Sequence, residues 1–161
     1  MEIKFLENDE IKKEIIIKNL ALIFDEFIKN NIKIEEQQYF MEKEILNITV
    51  KKYLLRINKY LNPSYSIFII LPFIIDKILL NKKYNIKINK YNIHYLIIVC
   101  MVIIIKYYED IIYNNAFCAE IGGLTLDKLN TYEILVLKII DYDLNISNYE
   151  YEKYMDYLLN I

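Results

Sequence analysis

The stretch YNIHYLIIVCMVIIIKYYED, Tyr91–Asp110, decides how the rest of the chain has to fold. Between Tyr95 and Ile105 it carries no charge and shows no polar face at any helical angle. Crossing a hydrocarbon layer roughly 30 Å thick takes about 20 apolar residues, so the run is too short for a membrane span. A helix that is apolar all round lies inside a protein, walled by other helices. The run then stops abruptly at Lys106-Tyr107-Tyr108-Glu109-Asp110. This predicts a buried rod with one polar tip at the surface, and that tip is the candidate functional end.

Working outward, only two prolines and two adjacent glycines, Gly122 and Gly123, interrupt the 161 residues. So few breakers among long segments of helical period predict an all-α protein. A first helix is expected over residues 10–29, with Ile11, Ile15, Leu22 and Phe27 on its apolar stripe and Lys12, Lys13, Lys18 and Glu26 nearer solvent. Residues 30–38 read as a polar linker. A second helix, residues 49–61, buries Val50, Tyr53, Leu54, Ile57 and Leu61, with Asn47 or Thr49 as its cap. It ends at Asn62-Pro63, because the residue before proline is pushed out of the α region.

A third helix is expected from Ser64 to Leu80, with a kink or one lost backbone bond at Pro72. After the central rod, residues 113–121 form a short segment closed by Gly122-Gly123. Thr125 caps a long helix over residues 126–142, with Asp127 near its positive end. Ser147-Asn148-Tyr149-Glu150 is a capping box that opens a last helix to about Leu159. The chain divides into an N-terminal helix and linker (residues 1–47), a central box (48–145) and a C-terminal helix (146–161), all in one domain.

Composition narrows the function. Hydrophobic residues make up 55% and charged residues 26%, a globular balance. The 20 basic and 22 acidic residues leave a net charge of −2, and the lysines alternate with acids and asparagines. No basic stripe appears along the sequence, which disfavours nucleic acid as a partner. The start, MEIKFLENDE, lacks the basic-then-apolar layout of a signal peptide and the glycine that myristoylation needs. Cys100 and Cys118 lie in apolar surroundings and read as small hydrophobes in a reducing compartment. A soluble intracellular protein is expected.

Catalytic and metal-binding patterns do not emerge. There is no Gly-rich phosphate loop, H-E-x-x-H, C-x-x-C or G-x-S-x-G elbow. His94, the single histidine, has no carboxylate or cysteine three or four residues on, so a structural contact is the better reading than a metal ligand or base. No catalytic residue, metal, cofactor or small-molecule substrate is expected. Lys106, taken by spacing alone, reads as a solvated pair with Asp110 four residues on.

Four blocks in order, YLLRINKY (53–60), SIFIILPFIIDKIL (66–79), NIHYLIIVCMVIIIKYYED (92–110) and YNNAFCAEIGGLTLDKLNTYEILVLKIIDYDL (113–144), resemble a cyclin box. The likeness is to single-box cyclins of the P- or U-type, the phosphate-pathway kind. Lys77 and Tyr95 stand where that group usually has arginine. The resemblance implies about five box helices around a buried central one, with extra helices at each terminus. It implies a non-catalytic regulatory subunit that binds and activates a cyclin-dependent protein kinase; a cyclin-fold module that binds another partner, or a kinase without activating it, is the alternative.

The resemblance further implies a docking face of Ile103, Lys106, Tyr107, Glu133, Leu137, Tyr142 and Leu144, with Lys106 and Glu133 together at its mouth. It also implies a structural ion pair between Arg56, the only arginine, and Asp76, where a guanidinium fork can hold a carboxylate by two parallel bonds.

Overall fold

The computed structural model describes residues 2–31, 39–40, 42 and 44–161, with side chains from residue 8 onward. Those residues form seven helices: α1 (Glu2–Asn30), α2 (Val50–Leu61), α3 (Tyr65–Leu80), α4 (Ile93–Tyr108), α5 (Asn115–Gly122), α6 (Leu126–Ile139) and α7 (Asn148–Leu159). Most of the linker expected over residues 30–38 lies outside the described residues. Four helix starts follow from one kind of side chain, an oxygen just before the first turn that takes an otherwise orphaned backbone N–H. Thr49 accepts from Lys52, Asn114 from Phe117, Thr125 from Lys128 and Ser147 from Glu150. At α7 the box is complete, since the Glu150 side chain accepts in turn from the Ser147 backbone.

Helix α4 is the hub. Every residue from Ile93 to Ile105 is buried. It packs against α2, α3, α5 and α6, while α1 covers α2 and α3 and α7 closes against α1 and α3. The approach of α5 to the hub requires glycine. A Cβ on Gly122 would stand 2.8 Å and 2.9 Å from the Ile98 side chain, closer than van der Waals contact allows. Next to it, Gly123 takes the left-handed conformation (φ 72°) that closes α5. Helix α3 continues through Pro72 without ending there.

Three expectations change. Helix α1 buries Ile16, Ile17, Leu20, Ala21 and Phe24, whereas Ile11 and Leu22 are more than half exposed. Lys13, expected near solvent, is 4% exposed; its Nζ donates to Asn62 Oδ1 at 3.2 Å and lies 3.6 Å from Glu10. Its stem lies against apolar surface while the ammonium finds partners at the edge. Helix α6 stops at Ile139 rather than Tyr142. Asp141 and Tyr142 are left-handed (φ 52° and 57°), and the Tyr142 N–H closes the turn on the Leu137 carbonyl at 2.8 Å. Lastly, one stretch departs from the alternation of charges expected along the sequence. Lys51, Lys52, Arg56 and Lys59 are all exposed on α2, a helix without an acidic residue. Among the described residues none of the four is ion-paired to a carboxylate.

Candidate partner-binding notch at the end of the hub

Lys106 lies in the last turn of α4, and Glu133 midway along α6. Their helices lie against each other, and Lys106 Nζ donates to Glu133 Oε1 at 2.6 Å. Asp110 is therefore not the partner of Lys106. The other carboxylate oxygen, Glu133 Oε2, accepts from Asn115 Nδ2 at 2.7 Å. The same amide nitrogen lies 2.7 Å from Asn130 Oδ1. The last turn of α4, the first residue of α5 and the middle of α6 are thus tied through one carboxylate.

The Lys106 side chain is 33% exposed and that of Glu133 15%. A lysine ammonium has three donors, and among the described residues only one is engaged here. The notch can therefore offer hydrogens to a neighbour's carbonyl groups, while Glu133 fixes the position of the ammonium. Cys118, buried beside it, has its thiol pushed up by desolvation, with Lys106 pulling down and Glu133 pushing up. Such a thiol stays protonated and unreactive.

Aromatic residues frame the notch. Tyr107 and Tyr108 meet edge to face with ring centres 4.8 Å apart. The Tyr107 hydroxyl donates to Asn145 Oδ1 at 2.9 Å, and that of Tyr108 to the Leu144 carbonyl at 2.6 Å. Tyr107 and Tyr142 are more than half exposed, and Leu137 is half-buried. Ile103 and Leu144 are different. At 3% and 6% exposure both lie beneath the surface, Ile103 because α4 is enclosed by its neighbours as far as Ile105.

Sequence reasoning missed Asn115, the residue that anchors the far side of Glu133. Its signal was the doubled Asn114-Asn115, where one asparagine caps α5 and the next begins it. It also missed the exposed Ile111-Ile112 after α4 and Ile134 beside Glu133.

Arg56 and Asp76 do not pair. Arg56 Nε donates to the Ile121 carbonyl at 2.9 Å, and one turn earlier on α2 the Tyr53 hydroxyl donates to the Gly122 carbonyl at 2.9 Å. Both side chains thus cap the negative end of α5. Asp76 instead turns to α7, where its Oδ2 accepts from the Tyr154 hydroxyl at 2.5 Å. The two charges face different helices. His94 Nε2 lies 2.9 Å from the Ile48 carbonyl; a carbonyl only accepts, so this nitrogen carries the hydrogen. Among the described residues no cluster of three or more His, Cys, Asp or Glu could hold a metal ion, and no helix is long and apolar enough to cross a membrane.

A family model described as Cyclin matches residues 10–144, from the first half of α1 through α6 to the turn beyond. The chain belongs to the cyclin family. Cyclin-U4-1 of Arabidopsis thaliana is 32% identical over 111 residues, covering 69% of this chain and 54% of the relative. The PHO85 cyclin-like protein psl1 of Schizosaccharomyces pombe is 31% identical over 121 residues, 75% of this chain and 50% of the relative. Cyclin-U2-1 of Arabidopsis thaliana is 26% identical over 159 residues, 94% of this chain and 71% of the relative. The chain thus spans about half the length of the first two. These relatives place it among the P- and U-type cyclins, and the fold is the all-α cyclin box, with α4 as the central helix and α1 and α7 added at the ends.

Proposed function

We propose that this cyclin is a non-catalytic regulatory subunit that binds a cyclin-dependent protein kinase and holds it in its active state. The observation that carries the reading is the Lys106–Glu133 pair, formed across α4 and α6 at the one open tip of an otherwise buried helix. Membership of the cyclin family and a relative described as PHO85 cyclin-like support it. The docking face consists of Lys106, Glu133, Tyr107, Leu137 and Tyr142, with Ile103 and Leu144 behind it. The ammonium takes main-chain carbonyls of the kinase, and the aromatic rings take an apolar helix face.

Pressing on the kinase's αC helix would let its lysine–glutamate ion pair form and so complete the catalytic site. Such a cyclin shifts the kinase's equilibrium only as far as it binds the active state better than the inactive one. An interface of this kind buries on the order of 2,000 Å² or more. The role is an intracellular one, in cytoplasm or nucleus.

The burial of Ile103 and Leu144 leaves the face smaller than the family resemblance implies. That favours one second reading, a cyclin-fold module that binds a non-kinase partner, or a kinase without activating it. The test is capture of the partner kinase with the whole chain, followed by a phosphorylation assay. Capture with faster phosphorylation, both lost in Lys106→Glu, is the expected result. Capture without acceleration would move the assignment to the second reading, and undiminished capture by Lys106→Glu would remove the notch from the interface.

A further inference from the structure

Away from the notch, α1, α3 and α7 enclose a cleft of about 200 Å³, lined by Phe24, Phe27, Pro72, Asp76, Tyr154 and Tyr157 among others. Four of these are aromatic and one is a carboxylate. Phe24 is buried deep in the cleft, whereas Phe27 and Tyr157 are 38% and 61% exposed. Asp76 is held by a single hydrogen bond, from the Tyr154 hydroxyl to Oδ2. Its Oδ1 has no partner among the described residues and is not sealed from solvent. A carboxylate offers about four acceptor sites, and here Tyr154 fills one of them.

No cation answers this charge. Arg56 is engaged at the end of α5, and Lys77, the next residue along α3, lies 2.8 Å from Asp143 and over the Phe73 ring. Among the described residues no lysine or arginine nitrogen lies within ion-pairing distance of Asp76. The carboxylate lies among apolar walls with an oxygen open, and aromatic faces attract ammonium groups.

We propose that this cleft binds a chain ending in an alkylammonium group, the chemistry of a lysine side chain, with the charge on Asp76 and the methylenes against Phe24, Phe27 and Pro72. The four-carbon stem of lysine suits walls that are apolar up to a single polar end. The Tyr154 hydroxyl holds one oxygen of the carboxylate and leaves the other available. Burial and its bond to Asp76 push the Tyr154 phenol up, which keeps it a hydrogen donor in that role. The site uses none of the residues of the Lys106–Glu133 notch and stands whether or not a kinase binds there.

The test is titration of the isotope-labelled full chain, followed by NMR, with three probes. Nα-acetyl-lysine methylamide represents a peptide side chain, 1,5-diaminopentane a free amine, and Nα-acetyl-norleucine methylamide the same apolar stem without charge. The expected result is saturable shifts at Phe27, Tyr154 and Tyr157 with the lysine probe, at least tenfold weaker with norleucine. Asp76→Asn should weaken lysine binding at least tenfold. Phe27→Ala, at the exposed mouth where folding is not at risk, should weaken it about fourfold, the loss expected when about one methylene of the stem is no longer covered. Saturation by the diamine alone would keep the site and assign it to free amines. No saturable shift with either amine, or equal binding of norleucine, would overturn the proposal.

Discussion

The two ends of α4 use polar chemistry in opposite ways. At the first end Asn92, Ile93, His94 and Tyr95 are all buried. Asn92 accepts from the Asn89 backbone at 2.9 Å and donates to the Lys87 carbonyl at 2.8 Å, and His94 reaches the Ile48 carbonyl. Every one of those partners is the protein's own main chain. At the second end Lys106, Tyr107 and Tyr108 are exposed, and Lys106 meets only a side chain, leaving donor capacity unused. Polar groups pinned to the protein's own backbone hold the fold together. Those held by a neighbouring side chain with hydrogens to spare keep capacity for a further contact.

The contrast can be broken by mutation. Ile93→Ala at the sealed end should cost about 2–5 kcal/mol of folding stability, read from urea unfolding, because a fully buried cavity is created. Lys106→Ala at the open end should cost about 1 kcal/mol or less, because the pair is only partly screened from solvent and Asn115 still holds the other oxygen of Glu133. The same variant should lose about 2–5 kcal/mol of partner binding, measured by calorimetry or surface capture, as when one member of an interfacial charge pair is truncated. Equal effects of the two substitutions on stability would erase the distinction between the ends.

Between the ends, Gly122→Ala should cost about 1–3 kcal/mol, since the added methyl meets Ile98 and neither α4 nor α5 can retreat freely. A thermal melt close to that of the parent would show that α5 is more loosely seated than described.

The smallest effect depends on pH. Burial lowers the pKa of His94 from 6.5, against the opposing pull of its bond to Ile48 and of Asp25. As pH falls through 6.5 the unfolded chain takes up a proton that the folded ring resists. Stability should therefore decline from about pH 6.5 down to the folded-state value, and level off with respect to this group below it. His94→Gln should flatten the difference between urea midpoints at pH 7.5 and 5.5. A parent protein with no such difference would mean the ring is less enclosed than its surroundings suggest.

Much of this architecture was legible in the residues themselves. Caps at Thr49, Thr125 and Ser147 are chemical signals local to a few positions, and each lies where its helix begins. The uncharged run of α4 has a single physical solution, burial on all sides. The face of α1 was harder to read, because Ile11, Ile15, Ile16, Ile17, Leu20, Leu22, Ile23 and Phe24 surround too much of the helix for period alone to choose a side.

The meeting of Lys106 and Glu133, 27 residues apart, came from the family resemblance; spacing alone pointed to Asp110. Arg56 and Asp76 show the limit of that route. Whether two charged residues on neighbouring helices meet depends on rotation about each axis, and here α2 turns its arginine to α5 while α3 turns its aspartate to α7. The doubled Asn114-Asn115 marked a helix start but not the role of Asn115, which depends on the carboxylate that folding brings to it.

The turn after α6 carries one more consequence. Asp141 and Tyr142 hold positive φ in succession, a conformation that L residues adopt at a cost on the order of 1–3 kcal/mol each. Backbone so constrained has few other shapes within reach, and the Leu137 carbonyl locks it further. The backbone at Tyr142 is therefore a fixed anchor for an outward phenol, and a surface meeting that ring would have only side-chain freedom, not backbone freedom, to take up.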